Sequence, residues 1–295
     1  MECSNKKVSI ITVNFNGFRD TCELIESLKR YETYPYEIIV VDNASRENEA
    51  ENLQKRYPDI CVVRSPSNLG FAGGNNLGYP FAGGEYVLFL NNDILIDKPF
   101  LQKLVDRLEA SFVGLVSPKI KYEENRERIQ FAGFTSLSSI TLRNRIIGTG
   151  EIDRGQYDHA IITPYVHGAA MMGKKEVIDR IGLMPELYFL FYEELDWSVQ
   201  FRKAGYTLWC EPAAVVYHKE CMTAKRGSSL RLYYMTRSRL LFARRNLDGL
   251  AKVLSCIYLL TFPVLKNSLS HLLHLEWVHL AALWKGTWRG LTDSW

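Results

Sequence analysis

Three short stretches of this sequence carry residue types able to do chemistry together. In "YVLFLNNDILID" an apolar run is interrupted by Asn91, Asn92 and Asp93. In "FLFYEELDW" an aromatic run leads into Glu193, Glu194 and Asp196, three carboxylates within four residues. His218 closes the β-branched run "AVVYH". A hard divalent cation holding a diphosphate needs one or two carboxylate oxygens and takes the rest from phosphate and water. Asp93 with a second ligand such as His218 meets that need. A carboxyl in an aromatic, partly dry setting is raised in pKa and becomes a usable general base. Acids also favour helix N-termini for dipole reasons, which accounts for part of the second cluster.

These residues must be positioned by a sheet. "VSIITV", "EIIVVD", "CVVR", "YVLFL" and "VGLVSP" are β-branched or continuously apolar, as buried parallel strands are, and helical spacing separates them. The expectation is an α/β fold, a mostly parallel central sheet with helices on both faces. Ligands bind beyond the carboxyl ends of such strands. The first strand ends at Asn14, Asn16 and Gly17, and the second at Asp42, Asn43 and Ala44. The third leads into "SNLGFAGGNNLG" and the fourth into Asn91, Asn92 and Asp93. One such end is ordinary turn chemistry. Four together suit a ligand with a base, a ribose and phosphates. The glycines at 70, 73, 74 and 78 are not in GxGxxG order and follow the third strand, so they read as a close approach of backbone to a ligand at a helix start.

Beyond the fifth strand, "RIQFAGFTSL" reads as part of a hairpin and 143–159 as a polar, mobile loop. "YVHGAAMMGKKEVIDRIG" reads as a strand leading into a short helix. A helix from Glu193 to Ala204 and a strand pair, "YTLWC" and "AVVYH", follow. Residues 1–220 then form one catalytic domain, and 221–295 a basic helical region. From Lys219 onward there are 12 Lys/Arg against 4 Asp/Glu, a balance of +8, and before it 24 against 29, or −5. Leu273, Trp277, Leu280 and Trp284 recur at i, i+4, i+7 and i+11, as one helical stripe. The two partners left open for this region are an anionic membrane surface and a homodimer contact. No recognition motif accompanies the charge, so nucleic acid is not expected.

The hydrophobic fraction of 47% with 23% charge belongs to a folded globular chain. Six scattered cysteines with no CxxC spacing fit a reducing compartment. The start has too few apolar residues for a signal peptide, and the longest uncharged apolar run, Val253 to Leu265, is 13 residues, too short to span a bilayer. The expected location is cytoplasmic, with peripheral attachment to the inner face of the cell membrane left open.

In order and spacing, "VSIITVNFNG", "IIVVDNAS", "NLGFAGGNN", "YVLFLNND", "VHGAAMMGKKEVIDRIG", "FLFYEELDWSVQFRKAGY" and "AVVYH" resemble the inverting nucleotide-sugar glycosyltransferases of family 2, with the GT-A fold. They are closest to its bacterial rhamnosyltransferase-like branch. The resemblance covers residues 8–218. It implies that Thr12, Asn14 and Asp42 line the nucleoside pocket and that Asn68, Gly70 and Asn75 lie near nucleotide and sugar. The triplet stands where the family carries DxD, with Asn91 replacing the first aspartate, so Asp93 alone is an anionic ligand for Mg2+ or Mn2+. His218 matches the late histidine ligand. Glu194 matches the catalytic base, with Glu193 and Asp196 as the other candidates. The implied partners are a dTDP- or UDP-sugar, the sugar rhamnose in that branch, and a glycan or lipid-linked saccharide acceptor of bacterial surface polysaccharide synthesis. A sugar nucleotidyltransferase would need a glycine- and arginine-rich loop where this chain has "NFNGFRD". An oxidoreductase would need the absent dinucleotide fingerprint, and a dead scaffold would not need Asp93, Glu194 and His218.

Overall fold

The β-branched runs fold as the strands they read as. β1 (Val8–Asn14), β2 (Tyr36–Asp42), β3 (Cys61–Arg64) and β4 (Tyr86–Leu90) alternate with α1 (Phe18–Tyr31), α2 (Glu49–Arg56) and α3 (Gly70–Gly78). The structure, a computed structural model, describes residues 7–220 and 227–294. Cys3 and Cys221 lie outside the described residues. Cys22, Cys61, Cys210 and Cys256 are free thiols. The first four strands are parallel in the order β3-β2-β1-β4. They are apolar on both faces because both faces are covered. Ile10, Val40 and Leu88 pack with Leu24, Ile25 and Leu28 of α1, while Ile11, Val41 and Phe89 form the core on the other side. α3 lies tight on that second face. A Cβ on Gly78 would sit 2.8 Å from Ile11 Cγ2 and 3.0 Å from Val41 Cγ2.

The second half departs from the mostly parallel expectation. It comprises β5 (Ile94–Leu95), α4 (Leu101–Leu108), β6 (Val113–Tyr122), β7 (Ile129–Phe131), β8 (Ile161–Ile162), β9 (Ala170–Lys174), α5 (Lys175–Ile181), α6 (Glu193–Lys203) and β10 (Thr207–His218). β9 enters antiparallel between β4 and β6, so the sheet runs β3-β2-β1-β4-β9-β6-β10-β5 and is mixed. "YTLWC" and "AVVYH" are one strand rather than a pair. β10 runs parallel to β6 with its register shifted between Glu211 and Val215, where Pro212 has no N–H to offer the ladder. "RIQF" does form a hairpin partner, β7 on β6. The 143–159 loop is stitched down rather than free. Ile147 N donates to Gly133 O at 2.8 Å, Arg128 bridges Ile152, and Lys119 Nζ lies 2.5 Å from Asp158 and 3.3 Å from Asp153.

The apolar "ILI" after Asp93 has a specific use. Ile94 and Ile96 return to the core, and β5 pairs antiparallel with the end of β10, Ile94 opposite His218. That pairing carries Asp93 to the histidine.

The C-terminal region is three helices, α7 (Ser229–Asn246), α8 (Gly249–Leu273) and α9 (Trp277–Thr292). Leu240, Leu241 and Phe242 of α7 share a core cluster with Leu142, Tyr165, Tyr188 and Tyr192. Two expectations are corrected here. Leu273 and Trp284 do not share a helix, because the chain breaks at 274–276, with Leu275 at φ +57. And α8 continues past Lys252 and Lys266 to 25 residues, making it the one helix among the described residues long and apolar enough, by length and composition, to cross a membrane. Counting only the uncharged run hid this, because an α-helix tolerates a cation each side of an apolar stretch. Much of the region's positive charge is used internally: Arg245 pairs with Asp196, Arg237 with Asp293, and Arg239 donates to Thr141 O.

Candidate active site

The strand ends converge on one edge, but they do unequal jobs there. Asn14 is a hub: its Nδ2 donates to Asp42 Oδ1 (3.1 Å) and Glu49 Oε2 (2.7 Å), and Thr21 Oγ1 donates to its Oδ1 (2.7 Å). Asn43 clamps the next loop, its Nδ2 donating to Gly70 O (2.9 Å) and its Oδ1 accepting from Leu69 N (2.9 Å). Asn68 Oδ1 accepts from Gly70 N (2.9 Å), Asn75 Nδ2 donates to Phe71 O (3.0 Å), and Asn92 Nδ2 donates to Thr21 Oγ1 (3.0 Å). These five amides are tied to the protein. Thr12 and Asp42 differ: both are fully buried, and Thr12 Oγ1 and Asp42 Oδ2 accept or donate no hydrogen bond. Arg64 Nε is 3.9 Å from that Asp42 oxygen. A buried polar atom left unmatched is costly, so these two await a donor or acceptor from outside. Asn91 is partly exposed at the cleft, its N–H held by Ala169 O at 2.9 Å.

The glycine-rich loop is packed closely within the chain. Gly70 has φ +74, and a Cβ there would meet Phe189 O at 2.3 Å. Phe71 N donates to the same carbonyl at 2.8 Å. The glycine is required because the segment before α6 lies against it. That segment is itself strained, with Phe189, Phe191 and Tyr192 all at positive φ. Such conformations cost about 1–3 kcal/mol each and persist where surrounding structure enforces them.

They deliver the carboxylates of α6 to three different environments. Asp196 is fully buried and saturated: it accepts from Tyr188 Oη (2.5 Å), Gln200 Nε2 (2.8 Å) and Asn246 Nδ2 (2.9 Å), and pairs with Arg245 Nε at 2.9 Å. It ties α6 to α7. Glu193 is buried with Oε2 unpartnered, and burial, reinforced by Glu194, holds its carboxyl well above the usual range. Glu194 is partly exposed, and burial lifts it to about 7. A Cβ on Gly168 would lie 3.7 Å from Glu194 Cγ, so the His167–Gly168 segment flanks this carboxylate.

The same segment reaches the metal-ligand candidates. The His167 ring is 6.3 Å from that of His218. Ala169 N donates to His167 Nδ1 (3.1 Å), and burial together with His218 lowers His167 to about 3, so it is neutral with its proton on Nε2. His218 Nε2 lies 3.1 Å from Asp93 Oδ1, and His218 Nδ1 is 2.9 Å from Gln130 Oε1. With Nδ1–H directed at Gln130, the lone pair of Nε2 and the Asp93 oxygen face one another, an arrangement that a cation between them would satisfy. Among the described residues no group of three His, Cys, Asp or Glu gathers, so the donor set is two. Gln130, His167 and Glu49 of this edge were not singled out in the sequence. Nothing in their local patterns marks them, since each acts across more than 30 residues of chain.

The Glycosyl transferase family 2 profile matches residues 9–182. The chain belongs to that family. It is 27% identical over 241 residues to the low-salt glycan biosynthesis hexosyltransferase Agl10 of Haloferax volcanii, covering 79% of this chain and 74% of that protein. It is 23% identical over 261 residues to the dTDP-rhamnosyl transferase RfbF of Shigella flexneri, covering 82% and 81%. The fold is shared with GalNAc-T7, solved with UDP, GalNAc and Mn2+ (TM-score 0.62, 16% identity, 85% of this chain but only 53% of that one). It is also shared with the mannosyltransferase PcManGT of Pyrobaculum calidifontis, solved with GDP-Man and Mn2+ (TM-score 0.57, 18% identity, 98% and 76%). This family 2 glycosyltransferase therefore has the GT-A fold, its sheet mixed where β9 is inserted.

Proposed function

We propose that this glycosyltransferase moves a sugar, with rhamnose the leading candidate, from a dTDP- or UDP-sugar to a hydroxyl of a glycan or lipid-linked saccharide, with inversion at the anomeric carbon. Bacterial surface polysaccharide synthesis in the cytoplasm is the setting that fits. The observation that carries this reading is that the Asp93–His218 pair and the raised Glu194 both neighbour the His167–Gly168 segment.

Asp42 Oδ2 and Thr12 Oγ1 would receive the nucleobase once Arg64 moves aside, the unmatched carboxylate oxygen suiting a pyrimidine N–H. Asn91 lies on the diphosphate side. Asn14, Asn43, Asn68, Gly70, Asn75 and Asn92 act by holding the strand ends and the loop in register. Asp93 and His218 would hold Mg2+ or Mn2+, whose charge would stabilise the departing diphosphate. In ionised form, Glu194 takes the proton of the acceptor hydroxyl as that oxygen bonds to the anomeric carbon. The bond from that carbon to the diphosphate breaks on the opposite face, and the nucleoside diphosphate leaves with the electron pair. A carboxyl near 7 suits both halves of this task, being ionised for a useful fraction of molecules while remaining a competent base.

A thermal-shift screen of UDP, dTDP, GDP, their sugars and nicotinamide dinucleotides, with and without Mn2+, tests the reading. A pyrimidine diphosphate should stabilise the protein, more with Mn2+, and Asp93→Asn should remove the metal increment. Stabilisation by nicotinamide dinucleotides alone would sink the proposal.

A further inference from the structure

The outer helices of the C-terminal region present apolar side chains to solvent in regular stripes. On α8, Ile257, Leu265 and Leu269 are more than half exposed. On α9, Trp277, Trp284 and Trp288 are 59%, 52% and 66% exposed and follow the i, i+7, i+11 spacing of one helix face. The opposite faces are used: Ser255, Leu259 and Val264 of α8 are buried, and Gly286 and Gly290 of α9 lie against α7. A Cβ on Gly286 would be 2.6 Å from Tyr233 O, so α9 is seated as closely as a helix can be. The exposed stripes are thus the outward sides of helices already packed, and they are too extensive for scattered surface residues.

Charge decides what covers them. Neither α8 nor α9 contains an aspartate or glutamate, whereas Lys252, Lys266, Lys285 and Arg289 lie on them. Of the acids just outside, Asp293 pairs with Arg237 at 2.6 Å and Arg289 at 2.9 Å, Glu276 lies 2.6 Å from His271, and Asp248 stands exposed at the start of α8. Lys266 and Lys285 stand exposed beside the stripes. A second copy docked by the same face would bring Lys266 and Lys285 against cations, with no acid on either helix to answer them. An anionic headgroup layer over acyl chains answers both features at once, taking the tryptophans at its boundary and the lysines at its phosphates.

We infer that α8 and α9 form a docking surface for an anionic phospholipid bilayer, lying in its interface plane. α8 is long enough to cross a bilayer, but its buried side belongs to the protein, and Asn267, Ser268, Ser270 and His271 occupy its last turns. The surface is independent of which sugar is moved. It would hold the enzyme where a lipid-linked acceptor is presented.

The test is flotation of the purified full chain with phosphatidylcholine vesicles, with and without phosphatidylglycerol. The chain should float with the anionic vesicles, and added salt should weaken this. Trp277→Ser/Trp284→Ser/Trp288→Ser should lower partitioning at least about tenfold. Lys266→Glu/Lys285→Glu should lower it about fivefold per cation, with unfolding temperature unchanged, so that a misfolded tryptophan variant cannot decide the matter. No flotation with anionic vesicles overturns the inference. So does a dimer in light scattering that the tryptophan variant dissociates, which would assign the face to a second copy. Resistance to alkaline carbonate extraction would overturn the in-plane placement in favour of a spanning α8.

Discussion

Replacing Glu194 by glutamine should do opposite things to stability and to turnover. Burial lifts this carboxyl from 4.5 to about 7, so the folded protein binds the proton more tightly than the unfolded chain does. The group's contribution is therefore most favourable below 4.5, declines as pH rises to 7, and is level above that. Working the linkage through, ionised Glu194 costs the fold about 3 kcal/mol at pH 8 and less than about 1 kcal/mol at pH 5. Partial exposure screens some of this, so about 1–3 kcal/mol is the expected gain at pH 8 from the neutral isostere. Thermal unfolding of wild type and Glu194→Gln at the two pH values reads it directly. The variant should melt higher at pH 8 by about 2–4 °C per kcal/mol and nearly match wild type at pH 5. Nucleoside diphosphate release should fall by at least about a hundredfold, and the wild-type rate should rise with pH through about 7. Donor-induced stabilisation should survive. An equal melting difference at both pH values would refute the electrostatic reasoning. Near-normal turnover would move the base to Glu193, its more deeply buried neighbour.

Other outcomes follow from named contacts. Gln130→Leu removes the acceptor at His218 Nδ1 and should weaken Mn2+ binding about 10–100-fold in a metal titration, with metal-free stability little changed; unchanged Mn2+ affinity would mean Gln130 does not orient the ring. Asp196→Asn leaves Arg245, which is 30% exposed, without its partner and should cost about 2 kcal/mol of stability, seen as a lower unfolding temperature. Loss of turnover with stability intact would instead give Asp196 a chemical part.

How far the sequence could be read is clearest at Asp93. Its strand, its triplet and its return to the core follow from a β-branched run broken by amides. That it meets His218 depends on β5 joining the edge of β10, a pairing across more than 120 residues that no local pattern encodes. The antiparallel insertion of β9 was hidden for the same reason, since a buried strand reads alike in either direction. Asp196 shared its spacing with Glu194, and only the partners Arg245 and Asn246, supplied by α7, separate an anchor from a candidate base. The amides at the strand ends also serve the fold itself. Asn and Asp suit tight turns as well as ligands, and here Asn14, Asn43 and Asn92 bind their own chain. The C-terminal charge balance overstated the free charge, because composition cannot show which arginines are already paired.

The central claim is displacement with inversion, driven by a carboxylate base facing a diphosphate held at Asp93 and His218. Once the screen has identified the donor, proton NMR of the first product formed, before any anomer can equilibrate, tests it most directly. The account predicts an anomeric configuration opposite to that of the donor. A product that keeps the donor's configuration from the earliest time points would contradict it.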